Sequence, residues 1–346
     1  MRQKVTMQQI ADNLKLSKSL VSRALSNKYG VNEKTKALIL HEAARLNYQI
    51  PNSSKGKRLP GKVISVFILR HTLTGDVNFG AKIVNGIERA ISKRYMQMNL
   101  VLVDDCDEAE LVEKAKNSVG IITCAGVEGK ILTKLQQLEI PIVMIDPLHL
   151  DHGLNCVLAD NYSGVFDITL YLIKRGHRKL MYIGDPSYSY AFLQRYHGFD
   201  DCVNKYADMG IKAQYILKKS SYVIPHLCSG FNKQELVDVL KKGDIPTAII
   251  CANDPTAIAV YDILKDMDLK VPDDVSVVGF DNTVPTAFLD PPLTTLNISK
   301  HQLGESAVSM LVDNNNFKST PYCIQLLGVT IVERESVRSL TNNENY

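Results

Sequence analysis

Met7-Gln8-Gln9-Ile10-Ala11-Asp12-Asn13-Leu14 and Ser17-Lys18-Ser19-Leu20-Val21-Ser22-Arg23-Ala24-Leu25 are two helical patterns separated only by Lys15-Leu16. In the first, apolar residues recur at three- and four-residue spacing, with Thr6 placed to cap its start and an end expected near Asn13. In the second, Ser17 is the expected N-cap and Leu20, Val21, Ala24 and Leu25 form the apolar stripe. Lys18, Ser19, Ser22 and Arg23 lie off that stripe and project outward from the early turns. A third helix is expected from Asn32 through Leu38, Ile39, Ala43 and Leu46. Helix, tight turn, helix with polar and basic residues at the front of the second helix is the arrangement that places side chains in a DNA major groove. Lys and Arg can read guanine edges there, and Ser can bond a base or a phosphate.

The distribution of charge agrees. The chain of 346 residues carries a net charge of +3, but residues 1–60 hold twelve basic side chains against Asp12, Glu33 and Glu42. The remainder, with 28 basic and 34 acidic side chains, is mildly acidic. A basic head on an acidic body points to a polyanionic partner for the head. The hydrophobic content of 45% and charged content of 22% are those of an ordinary globular protein. No apolar run approaches the length of a membrane span, and the polar N-terminus is not a secretory leader, so no membrane contact and a cytoplasmic location (on the nucleoid when bound to its operator) are expected. The seven cysteines are scattered singly with no Cys-x-x-Cys pair, so neither a zinc knuckle nor a redox dithiol is expected. No nucleotide loop, nucleophile elbow or zincin motif occurs. His149-Leu150-Asp151-His152 is read as a polar loop instead of a metal site. An enzyme is not expected, nor a cofactor, nor a bound metal.

From Lys62 onward β-rich runs alternate with helical ones. Val63 to Leu69, Leu100 to Val103, Val119 to Thr123, Pro141 to Asp146, Lys179 to Ile183, Tyr215 to Leu217, Ala248 to Cys251 and Val275 to Phe280 read as strands, with helices between them. That rhythm implies parallel sheets with crossover helices. The count suits two doubly wound lobes, in which ligands bind at the carboxyl ends of strands and therefore in the cleft between lobes.

Residues 7–25 closely resemble the start of the LacI/GalR (lactose-repressor and galactose-repressor) family, through Ser17, Val21, Ser22, Arg23 and Leu25. The resemblance runs on through Leu46-Asn47-Tyr48, Asp160-Asn161-Tyr162-Ser163-Gly164, Gly176-His177, Arg195-Tyr196-His197-Gly198-Phe199, Asn253-Asp254, Val271-Pro272-Asp273-Asp274, Gly279-Phe280-Asp281-Asn282 and Pro291-Pro292-Leu293-Thr294-Thr295. It implies an α/β chain with a three-helix DNA-binding module at 1–50, a linker at 51–61 and a two-lobed type I periplasmic-binding-protein-like body at 62–346. The lobes would comprise about 62–159 plus 289–320, and 160–288 plus 321–340, with crossings near Ala159, Phe288 and Pro321.

Carried over by position, the resemblance implies that Lys18, Ser19 and Arg23 read bases while Ser17, Ser22 and Asn27 are mainly phosphate anchors; Thr6 is expected among the DNA-binding residues as well. Leu20 stands where the family usually has Thr. Relatives insert a leucine from a hinge helix into the minor groove. Here the linker offers Lys57, Arg58 and Leu59, but Gly56 weakens a helix and Pro60 ends it, so a cationic strap is expected. In the cleft the resemblance implies effector contacts at Arg195, Asp281 and Asn253. An arginine fork can bridge two hydroxyls, a carboxylate accepts two hydroxyl hydrogens, and an amide does both. Tyr188, Tyr190 and Phe192 would offer an aromatic face, His71 and Phe79 would line the cleft from the first lobe, and Ser163 from the second. Asp160, Asn161 and Asp254 are read as helix caps, and Gly176-His177 as a turn with a satisfied histidine.

The expected function is a ligand-responsive repressor that binds a near-palindromic operator as a homodimer and is controlled by a sugar-like effector. The alternatives are a regulator controlled by a protein co-effector docked on the first lobe, a purine-responsive one, and, in another class, a sugar-binding transport protein. The basic head argues against the last.

Overall fold

The computed structural model describes residues 7–14, 16–25, 35, 39, 62–74, 79–124, 126–127, 129–150, 153–217, 233–313 and 322–341. The described chain divides into two compact units, residues 1–60 and 61–346.

In the first unit, helix α1 (Met7–Leu14) and helix α2 (Lys18–Leu25) bury Ile10, Ala11 and Val21 against Ile39, with Leu14 and Leu16 packed alongside. Leu16 N donates to the Ala11 carbonyl at 2.9 Å, which turns the chain sharply between the helices. Ser17 caps α2: its Oγ accepts from Leu20 N at 3.2 Å, and its carbonyl accepts from Val21 N at 3.1 Å. Of the third helix, only Thr35 and Ile39 fall within the described residues, and both are helical.

The second unit contains two six-stranded sheets. The first has the order β11-β5-β4-β3-β1-β2 and the second β12-β10-β9-β8-β6-β7. The first is built from β1 (Val63–Ile68), β2 (Gln97–Leu102), β3 (Gly120–Cys124), β4 (Ile142–Ile145), β5 (Asn155–Ala159) and β11 (Ile324–Leu327). The second is built from β6 (Lys179–Ile183), β7 (Lys212–Ile216), β8 (Ala248–Cys251), β9 (Ser276–Asp281), β10 (Thr294–Asn297) and β12 (Thr330–Val332). Every pairing is parallel except β10 with β12. The central strands are buried on both faces, as parallel strands flanked by helices must be, and read as continuous apolar runs: all of β3, β4, β5 and β8 is buried.

Sheet membership corrects the expected lobe boundaries. The chain leaves the first sheet after Ala159, as expected. However, β10 pairs with β9 (Thr294↔Val278 through Asn297↔Asp281), so the second crossing follows Asn297, not Phe288. Likewise β11 pairs with β5 (Ile324↔Cys156), so the third crossing lies at Gly328, not Pro321. The errors share a cause, because these strands are four residues or fewer and too short to carry a periodicity. Strand β5 was not expected either; it follows a loop and offers only five residues.

Three helices position the site: α7 (Asn161–Lys174), α8 (Tyr190–Lys205) and α10 (Asp254–Asp266), all in the second lobe. Between the helices of the first lobe, the chain also forms α3 (Arg70–Thr74), α4 (Phe79–Lys93), α5 (Glu108–Lys116) and α6 (Lys130–Gln136), with α9 (Lys233–Lys241) in the second lobe. Helix α11 (Lys300–Asp313), absent from the sequence expectations, packs on α4. Two glycines set that approach. A Cβ at Gly304 would stand 2.3 Å from the Ile83 carbonyl oxygen, and one at Gly86 would stand 2.1 Å from that of His301. Among the described residues no helix is long and apolar enough to cross a membrane.

The close helix contact predicts that Gly304→Ala lowers stability by about 1–3 kcal/mol through overpacking. At ~2–4 °C per kcal/mol for a domain of this size, that is a fall of several degrees in Tm, read by calorimetry. A methyl at Gly210, where no atom lies within 4 Å, meets no such clash, although its φ of 75° adds backbone strain.

Candidate functional site

The two sheets end, at their carboxyl edges, on a shared cluster of ionisable side chains. Arg195 is its centre. It projects from α8 and is 4% exposed. Its Nε donates to Asn161 Oδ1 at 2.8 Å and its Nη1 to the Ala252 carbonyl at 2.6 Å. Its Nη2 lies 3.7 Å from Asp281 Oδ1. The guanidinium is stacked 3.7 Å from the Phe280 ring centre and 5.2 Å from that of Phe192. A planar, weakly hydrated cation tolerates such a place because ring faces and hydrogen bonds replace its water. Two of its three nitrogens are bonded by the protein, so only the Nη2 end, beside Asp281, is left toward a ligand.

Asp281 closes β9 with φ of 115°, a conformation that L-residues rarely adopt, and Asn282 follows at 49°. The turn is strapped on every side. Lys300 Nζ donates to the Asp281 carbonyl. Asn282 Nδ2 donates to Asn297 Oδ1 at 3.1 Å, Arg334 Nη2 to Asn282 Oδ1 at 2.6 Å, and Thr283 N to Asp254 Oδ2 at 2.7 Å. Strained backbone held by redundant bonds is a frequent mark of a functional position. Burial pushes the Asp281 carboxyl up, and Arg195 and Lys300 pull it back.

A second carboxylate comes from the first lobe. Asp146, at the end of β4 and also at positive φ (49°), is pushed up to about 6 by burial; Arg195 opposes that shift and Asp281 adds to it. Sequence reasoning missed this residue. Its signal was position, since Asp146 directly follows a buried strand and precedes Pro147, where ligands of doubly wound sheets gather. Lys300 was missed as well. It is 4% exposed at the start of α11, with its ammonium 5.7 Å from the Phe79 ring centre.

The structure therefore brings Arg195, Asp281, Phe192 and Phe79 to one cluster. Asn253 is adjacent, but it is the N-cap of α10: its Oδ1 accepts from Thr256 N at 3.0 Å and from Thr256 Oγ1 at 2.7 Å. The cap expected at Asp254 thus belongs to Asn253. Asp254 itself is fully buried, bonded to Thr283 N and to Thr295 Oγ1 at 2.6 Å, with its carboxyl raised to about 7 by burial and by Asp281. Asp160 caps α7 as expected, through Ser163 N. Asn161 does more than cap, since it orients Arg195.

Tyr188 meets Phe192 edge-on at 4.9 Å. Tyr190 has a different part: its N donates to the Leu148 carbonyl of the first lobe at 2.7 Å, and its side chain packs against that lobe's core. It clasps the lobes together. Ser163 and His71 are exposed, on α7 and on α3. No hydrogen bond among the described residues joins either to Arg195 or Asp281. His177 is fully buried with Nε2 3.1 Å from the Arg338 carbonyl and Nδ1 without a hydrogen-bond partner, so it is only half satisfied; burial lowers it to about 4. No group of three metal-ligating side chains occurs among the described residues.

In the first unit Lys18, Ser19 and Arg23 are exposed on one end and face of α2, and Ser22 is partly so. Ser17 Oγ also lies 3.1 Å from Ser19 Oγ. Thr6, Asn27, Lys57, Arg58 and Leu59 lie outside the described residues.

Comparison with known proteins places these features in context. A family model described as a periplasmic binding protein-like domain matches residues 169–337. The chain is 28% identical over 349 residues to the HTH-type transcriptional repressor CytR of Escherichia coli (strain K12), covering 97% of each. It is 25% identical over 352 residues to the HTH-type transcriptional repressor PurR of Histophilus somni (strain 2336), covering 97% of this chain and 99% of the relative. A lac repressor dimer bound to operator and the anti-inducer ONPF aligns with TM-score 0.65 at 21% identity, over 97% of this chain and all of that one. A LacI family transcriptional regulator from Enterococcus faecalis V583 with bound ribose aligns with TM-score 0.63 at 25% identity, over 81% of this chain and all of that one.

The raised Asp146 carboxyl gives a signed pH prediction. The folded protein holds its proton more tightly than the unfolded chain, so its contribution to stability is greatest in acid and is lost as pH rises through the window from about 4 to about 6. Asp146→Asn keeps the neutral form at every pH. Its Tm is expected to exceed that of the wild type by a few degrees at pH 7.5, with the gap closing toward pH 4. A gap of constant size across that range would show that ionisation is not its cause.

Proposed function

Since the chain belongs to the LacI/GalR family of transcription regulators, we propose that it is a ligand-responsive, DNA-binding repressor that works in the cytoplasm as a homodimer on a near-palindromic operator. The observation that carries the reading is α2. Its cap is Ser17, Val21 is buried against α1, and among the described residues of the helix Lys18, Ser19 and Arg23 stand exposed. A helix with that division of labour presents donors for base edges and phosphates from its first turns. Lys18, Ser19 and Arg23 are assigned to bases, and Ser17, Ser22, Thr6 and Asn27 to the backbone. Lys57, Arg58 and Leu59 are assigned to the minor groove.

The effector reading rests on the Arg195 and Asp281 pair at the carboxyl edge of the second sheet, faced by Asp146 and Phe79 from the first. Carboxylates that accept and a guanidinium that donates suit a hydroxyl-rich ligand, whose C–H faces meet Phe79 and Phe192. Ribose in a relative of this fold supports that class of ligand. Asn253 can add only its Nδ2, because its oxygen is committed to the cap. Binding at such a site draws the lobes together or apart, and by reciprocity a ligand that weakens operator binding is bound more weakly by the DNA-loaded protein.

Binding-site selection from a random DNA pool tests the DNA reading. A two-fold symmetric consensus is expected, with an affinity that falls by about 10³-fold or more between 50 and 200 mM salt if six or more phosphates are contacted. Arg23→Ala is expected to cost about 1–3 kcal/mol and relax the consensus at one position per half-site. A flat salt dependence, or an asymmetric consensus, would overturn the proposal.

A further inference from the structure

The cleft is polarised. Around Asp281 the second lobe supplies carboxylates, Asp281 itself and the enclosed Asp254, with Arg195 beside them. At the same corner the first lobe supplies, besides the Asp146 carboxylate, two cations. Lys300 opens α11, and Lys82 sits in the first turn of α4, close enough to oppose the charge of Lys300. That first turn contains no acidic residue, and the positive end of a 15-residue helix adds to the field. Lys300 is 4% exposed, yet among the described residues its ammonium has one hydrogen-bond acceptor, the Asp281 carbonyl, and one flank lies against the Phe79 ring. A buried ammonium with donors to spare favours a further acceptor, which an anionic ligand in the cleft can supply.

Resting on the effector-controlled reading above, we propose that Lys300 is a binding residue of the cleft and that, with Lys82, it selects an effector bearing an oxyanion, a phosphate ester or a carboxylate, on a hydroxyl-rich body. The oxyanion lies toward Lys300 and the first turn of α4, and the hydroxyls lie toward Asp281, Asp146 and the Nη2 end of Arg195. The nearest charges facing Lys300 are Asp281 and Asp254, which favour its charged form, and Lys82 and Arg195, which oppose it. An oxyanion placed between the cations relieves that opposition and forms charge-assisted bonds. The arrangement also gives the ligand a direction, because reversing it would set anion against carboxylate.

The test uses the full chain, with thermal shift and calorimetric titration of inorganic phosphate, D-ribose, D-ribose 5-phosphate and D-gluconate. Each anion is compared with a chloride series of equal ionic strength. The variants are Lys300→Met, Lys300→Arg and Lys82→Met, all of which keep the basic head, so that phosphate bound there cancels between proteins. Expected are stabilisation by phosphate beyond chloride and binding of at least one of the two sugar anions above D-ribose. Affinity should fall by about tenfold or more in Lys300→Met and less in Lys82→Met, with recovery in Lys300→Arg. Ribose 5-phosphate against gluconate separates phosphate ester from carboxylate. Should Lys300→Met be unfolded, the decision passes to Lys82→Met, whose partly exposed side chain can be removed without a core defect, and undiminished phosphate binding there overturns the proposal. Wild-type protein indifferent to phosphate, or Lys300→Met indistinguishable from it, overturns the proposal as well. D-Ribose bound as well as its phosphate overturns it too while leaving the sugar-effector reading intact; silence from every compound, neutral sugar included, counts against both.

Discussion

The burial of one guanidinium organises the second unit. Arg195 carries a full charge at 4% exposure, a state that costs several kcal/mol unless every face is answered. The answers come from three parts of the fold: Asn161 at the start of α7, the Ala252 carbonyl after β8, and β9, which supplies both the Phe280 ring and the Asp281 carboxylate. Replacing any of these leaves a charge without its compensation. The same arginine sets the state of its neighbours, since it is the main influence opposing the rise of both the Asp281 and Asp146 carboxyls. Two carboxylates from two lobes can gather there because Arg195 offsets the charge of both.

The tethers of this cluster run to the crossings between lobes. Asn161, which holds Arg195, is the second residue after β5, where the chain first changes lobe. Asn297, which holds Asn282, ends β10 at the second crossing, and Lys300, which holds the Asp281 carbonyl, begins α11 just beyond it. Arg334, two residues beyond β12 and shortly after the third crossing, grips Asn282 as well. A ligand that moves Arg195 or Asp281 therefore moves groups bonded to the segments about which the lobes turn. The Tyr190 N–H bonded to the Leu148 carbonyl joins the lobes directly as well. Packed lobes held by crossings and by a direct bond between them favour discrete arrangements over a continuum, which is what a binding switch needs.

Much of this architecture was legible in the sequence, for reasons that differ by element. Strands β6 and β8 were read to the residue because each is a β-rich run bounded by polar turns, while α1 and α2 were legible as elements because their apolar spacing and the Ser17 cap agree. The lobe boundaries were misplaced because β10, β11 and β12 owe their existence to pairing with distant strands, a property that a run of four residues does not carry. Position in a motif identified Arg195 and Asp281 but could not say that Arg195 spends two nitrogens on the protein, nor that Asn253 spends its oxygen on a cap. Asp146 and Lys300 escaped because each is a single charged residue at the edge of an element. Their meaning comes only from the residue opposite.

That pattern has a physical basis. Local rules, such as capping, periodicity and the short reach of a serine hydroxyl, act over three or four residues and leave their trace in consecutive letters. The cleft obeys a non-local rule: charges from both lobes must balance across a space that neither lobe encloses alone. Asp146 is one residue past a strand and Lys300 the first of a helix, ordinary positions for surface charges, and each is ordinary until the fold draws it, Asp146 half-buried and Lys300 buried, toward Arg195 and Asp281. Burial then turns charge into a demand for a partner: it pushes the Asp146 carboxyl up to about 6 and leaves the Lys300 ammonium dependent on the Asp281 carbonyl. A site that destabilises its own protein in this way is selected for what it binds, not for the stability of the empty fold.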